Sequence, residues 1–111
     1  MIGINVDYAD YKCINRHKGY TTGINTDNIK FNELEKKIVD RFQMQLANAK
    51  GLLIIFIIKD DTHIDLISNC IKKIADIISE DSDIIFGMEY ENSCLVDEVK
   101  VNLLITGLEN I

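Results

Sequence analysis

Asn5, Asp7 and Asp10 place a carboxamide and two carboxylates within one short stretch, Gly3-Ile4-Asn5-Val6-Asp7-Tyr8-Ala9-Asp10. The stretch runs directly into a short helix expected from about Tyr8 to Arg16, where Tyr8, Tyr11 and Ile14 fall at helical spacing. Two carboxylates one turn apart can accept hydrogen bonds from a water and orient it, or hold a cation. In phosphoryl transfer to water, such positioning is much of what a protein side chain contributes. The same spacing has a plainer use. Asp7 fits an N-cap, and Asp10 fits the N3 position, a carboxylate version of a capping box beside the positive end of the helix. On spacing alone capping is the stronger reading, because Asp is so common at N-caps. The two uses are compatible, since a capped loop is also a rigid one.

A water-positioning loop needs a phosphate to act on, and no nucleotide site is legible in this chain. A phosphate cradle needs closely spaced glycines or a Gly-Lys-Ser/Thr run so that backbone N–H groups can approach. Gly3, Gly19, Gly23, Gly51, Gly87 and Gly107 are scattered. There is no nucleophile elbow and no paired Cys/His ligand set. His63 and Asp65, two apart at the start of a helix, point in different directions, so a metal role is not expected of them. His17 stands alone near a helix end, where it favours the dipole. Cys13, Cys70 and Cys94 are odd in number and follow no metal spacing. They fit free thiols in a reducing cytoplasm.

The elements that must carry the loop alternate along the chain. Gly19 to Asn25 reads as a Thr-rich strand. Phe31 to Asn48 reads as one amphipathic helix, with Phe31, Leu34, Ile38, Phe42 and Leu46 on one stripe. Leu52 to Ile58 is a continuous branched apolar run, the mark of a central strand buried on both faces. Asp60-Asp61-Thr62 offers caps to a second long helix, about Thr62 to Ser79, whose stripe is Ile64, Ile67, Ile71, Ile74 and Ile78. Ile84 to Glu91 is a further strand, expected parallel to the Leu52 strand. A turn at Asn92-Ser93 follows. Val99, Val101, Leu103 and Ile105 then alternate with Lys100 and Asn102, a strand with one face out that should end at Gly107 and close an antiparallel hairpin. The expected fold is α+β: a two-layer single domain over residues 1–111. A small mixed sheet of about four strands, packed by two long helices plus a short N-terminal helix, forms a core over residues 19–108.

Composition bounds the function. Hydrophobic residues make up 47% of the 111, with no Pro, so the chain must fold around a core. A net charge of -6 argues against a nucleic-acid groove, which needs clustered cations. The pairs Lys36-Lys37 and Lys72-Lys73 sit inside helical patterns and read as solvated faces. The longest apolar run, Gly51 to Ile58, is too short to span a membrane, and the first residues lack a basic signal-peptide region. A cytoplasmic protein without direct membrane insertion is expected.

Two blocks of sequence carry a resemblance. The first is the opening stretch through Asp10, which is similar to the synergy-loop pattern Gly-Leu-Ile-Asn-Val-Asp-Phe-Ala-Asp of the bacterial cell-division GTPase FtsZ, in the tubulin superfamily. The second is Ile84-Ile85-Phe86-Gly87 followed by Asp97-Glu98-Val99-Lys100-Val101-Asn102-Leu103-Leu104-Ile105-Thr106-Gly107, against Ile-Ile-Phe-Gly and Asp-Glu-Val-Arg-Val-Thr-Val-Ile-Ala-Thr-Gly. Lys50-Gly51-Leu52-Leu53-Ile54 also resembles the family's Arg-Gly-Val-Leu-Val strand. The order and spacing run over almost the whole chain and resemble the FtsZ C-terminal domain, beginning at its synergy loop (residues 2–10).

The resemblance implies a domain of a polymerising GTPase used in septation. In that family GTP, with Mg, sits in a separate N-terminal domain, and the loop of one subunit enters the GTP pocket of the next in a head-to-tail filament. Carried onto this sequence, Asp7 and Asp10 would position the attacking water and Asn5 would lie against the nucleotide. The chain itself would hold no cofactor and would be inactive as an isolated domain, since hydrolysis is completed between FtsZ-like subunits. Thr21 to Lys30 departs from the family's small-residue and Arg-Ala pattern, and Ile55-Phe56-Ile57-Ile58 stands where the family is usually glycine-rich. The other reading of the same fold is a small non-catalytic protein-interaction module, in which Asp7 and Asp10 only cap the helix.

Overall fold

Residues 19–59, 63–92 and 97–108 are described by the structure, a computed structural model. Strand β1 spans Tyr20–Asn25, and a two-residue β2 spans Ile29–Lys30. A helical stretch follows in three pieces: a 3-10 turn Phe31–Glu33, a π-helical segment Glu35–Asp40 and helix α1, Gln43–Asn48. Strand β3 is Gly51–Ile58, helix α2 is Ile64–Ile77, β4 is Asp83–Tyr90 and β5 is Glu98–Leu108. The sheet runs in the order β1-β5-β3-β4, with β2 also on β5. The α+β class and the mixed sheet agree with the sequence reading; the fifth strand, β2, is too short for periodicity to reveal.

β3 is apolar from end to end, and both of its edges are paired. All eight of its residues are buried. It pairs in parallel with β4, Leu52 opposite Ile84 and Phe56 opposite Met88, and antiparallel with β5, Leu52 opposite Ile105. Alternation divides it. Leu52, Ile54, Phe56 and Ile58 join the main core with Leu34, Ile38, Leu46, Ile67 and Ile74 from the helical layer, whereas Ile55 and Ile57 form a separate cluster. The helices therefore cover one face of the sheet.

The expected terminal hairpin is not formed. β4 and β5 are not neighbours: β5 runs between β1 and β3 and pairs antiparallel with each. Burial explains the choice. Val99, Val101, Leu103 and Ile105 are all buried and fill an interior position, while seven of the eight β4 residues are only half-buried, which suits an edge. Nor does Gly107 end the strand. Its φ of 73° inserts a bulge, so that Tyr20 faces Leu108 while Thr22 faces Ile105. The extra residue turns Leu108 back into the core.

The Phe31–Asn48 segment is helical over most of its length but not one α-helix. From Leu34 its buried residues recur every four positions, through Ile38, Phe42 and Leu46. At 3.6 residues per turn such a stripe drifts by about 40° per step around an α-helix. The wider π turns over Glu35–Asp40 take up that drift and also bury Val39. The reading of one regular helix is corrected accordingly, while every residue of its stripe is buried as expected.

β1 lies so close to β5 that a side chain is excluded at one point. A Cβ on Gly23 would stand 2.1 Å from the Leu103 carbonyl oxygen, a backbone atom that cannot swing away. Gly23→Ala is expected to lower stability by about 1–3 kcal/mol by forcing the two strands apart. A urea midpoint that stays where it is would show that β1 can shift freely.

Candidate functional site

The residues singled out for chemistry, Asn5, Asp7 and Asp10, lie outside the described residues, as do the short N-terminal helix, His17, Cys13, Cys94 and the Asp60–Thr62 cap. What the structure supplies is the body on which they are mounted. The described chain begins at Gly19, with φ of 117°, a conformation that L side chains rarely adopt. A Cβ there would meet the Leu108 carbonyl oxygen at 2.5 Å. The point where the N-terminal segment joins the sheet is thus a tight backbone contact with the end of β5. Lys50 N–H donates to the Thr106 carbonyl (3.0 Å), Asp83 N–H to the Lys50 carbonyl (3.0 Å) and Ser82 Oγ to the Ala49 carbonyl (2.7 Å). These bonds tie the end of α1 and the starts of β3 and β4 to β5.

The two basic pairs behave as solvated faces. Lys37 pairs with Glu33 one turn back (3.2 Å), and Lys73 reaches across to Glu35. Lys30 of β2 pairs with Asp97 ahead of β5 at 2.9 Å. Their hydrogen bond raises the Lys30 pKa and lowers that of Asp97. The pair therefore persists until pH falls through the lowered Asp97 value, and being exposed it contributes little. His63 occupies the N-cap position of α2, and its ring lies 4.5 Å from that of Phe31 at 33°. That contact ties the start of α2 to the 3-10 turn. Among the described residues no three His, Cys, Asp or Glu side chains converge as a metal site would require. No described helix is long and apolar enough to cross a membrane.

A groove of about 400 Å3 lies between the Phe31–Glu35 stretch and α2, lined by Phe31, Leu34, Glu35, Leu66, Cys70 and Lys73 among others. The sequence reading missed it. Its signal is Leu66, an apolar residue off the α2 stripe that remains 42% exposed. Cys70 is buried beside the groove, and burial pushes its thiol up to about 11, with Glu35 adding to the effect and Lys73 opposing it. An unfolded thiol ionises near 9.0 while the folded one keeps its proton, so stability should fall as pH rises from 9 towards 11. Two units of pKa leave roughly 10²-fold less thiolate. In a Cys13→Ser, Cys94→Ser variant at pH 8, Cys70 should react with Ellman's reagent about 10²-fold more slowly when native than in urea. Equal rates would mean that the groove floor opens to solvent.

The described layers define the class first: a two-layer α+β domain with helices on one face of a mixed sheet. No family model and no curated protein sequence matches the chain. Solved structures do. An FtsZ dimer from M. jannaschii is similar at 24% identity and a TM-score of 0.68, covering 94% of this chain and 32% of that one. An FtsZ point mutant from the same organism is similar at 22% identity and a TM-score of 0.69, covering 95% and 33%. The chain has the fold of an FtsZ C-terminal domain. It spans about a third of the length of the FtsZ structures that it matches.

Proposed function

We propose that the chain acts as the C-terminal polymerisation and GTPase-activating domain of an FtsZ-like cell-division protein. Asp7 and Asp10 hold and orient the attacking water for hydrolysis of GTP bound, with Mg, to the N-terminal domain of the adjacent subunit, and Asn5 lies against that nucleotide. Water positioning of this kind is a large part of what phosphoryl transfer asks of a protein. The chain works in the cytoplasm, in a head-to-tail filament that serves septation, and does not bind GTP by itself. The observation that carries this reading is the fold likeness to FtsZ over 94% of the chain. The carboxylate pair in the opening stretch supports it independently, because a loop that serves a neighbour needs no phosphate cradle of its own.

The reading is tested by adding a stoichiometric excess of this chain to a polymerising FtsZ. Docking on the exposed nucleotide face should cap filaments and lower both the sedimented polymer and the GTP turnover. The chain alone, titrated with a fluorescent GTP analogue, should give no binding curve. Unchanged polymer and turnover at saturating chain, or a clear GTP affinity of the isolated chain, would overturn the proposal.

A further inference from the structure

No further inference is drawn: the strongest candidate, a hollow of about 270 Å3 on the second face of the sheet between Asn25, Leu53, Ile55, Asn102 and Leu104, is an apolar sheet face that no described element covers, and nothing in the structure shows what does.

Discussion

Asp10→Ala, made in a chimera that joins this chain to the GTP-binding part of an FtsZ, is expected to lower GTP turnover by roughly 10²-fold or more while filaments still sediment. The expectation rests on the proposed division of labour. A carboxylate that accepts a hydrogen bond from the attacking water contributes to the transition state and little to the resting contact between subunits. Loss of the side chain should therefore appear in kcat at saturating GTP rather than in polymer mass. The same substitution in the isolated chain measures the plainer role. If Asp10 belongs to a capping box, its removal costs about 0.5–2 kcal/mol of stability. Asp10→Asn separates the two further, since the carboxamide keeps the size and loses the charge. Turnover that survives both substitutions would leave Asp7 and Asp10 as caps and nothing more.

Phe56→Ala should unfold or nearly unfold the domain. Phe56 is 1% exposed and stands at the middle of the sheet, opposite Met88 on one side and Val101 on the other. Truncating a buried Phe costs about 3–5 kcal/mol, the sum of lost transfer energy and the cavity left behind. Single domains are stable by only about 5–15 kcal/mol. Neither neighbour can collapse into the gap, because both belong to strands hydrogen-bonded to β3. A drop in melting temperature on the order of 15 °C or more is expected by calorimetry. A shift of only two or three degrees would mean that the core repacks, and that the central strand is less constrained than its burial implies.

Much of this architecture is legible because each signal has one dominant cause. Eight consecutive apolar residues with no helical period leave little choice but a central strand, and Gly51–Ile58 is one. The stripe Ile67, Ile71, Ile74 marks α2 because an amphipathic helix has no other way to bury it. The expected parallel pairing of β4 with β3 is formed, and what failed was the neighbour relation of the last strand, β5. Alternation in Val99, Val101, Leu103 and Ile105 says that one face is buried, but it is silent on which strand lies alongside. A short turn at Asn92-Ser93 suggested a hairpin, yet the half-buried β4 suits an edge and the more buried β5 the interior. The π-helical turns were available in principle, since strict four-residue spacing from Leu34 to Leu46 does not suit 3.6 residues per turn. For the candidate site, residue types and spacing gave Asp7 and Asp10 and favoured capping, without excluding catalysis. On the proposed function that choice turns on a surface of a neighbouring subunit, and no pattern within one chain encodes it.

The placement of β5 between β1 and β3 has a consequence for how the protein is made. The strand that completes the middle of the sheet is made after β1, β3 and β4, and it must find a partner far back in sequence, Leu108 opposite Tyr20. At about 5–20 residues per second, β3 waits roughly 2–10 s after its own synthesis before β5 emerges beside it. During that interval an eight-residue apolar strand lacks the final partner of one edge throughout, and that of the other edge until β4 has been made. Closure of the sheet is thus paced by a long loop closure rather than by the helices. The nascent chain should lean on chaperones most heavily in the window between residues 58 and 98.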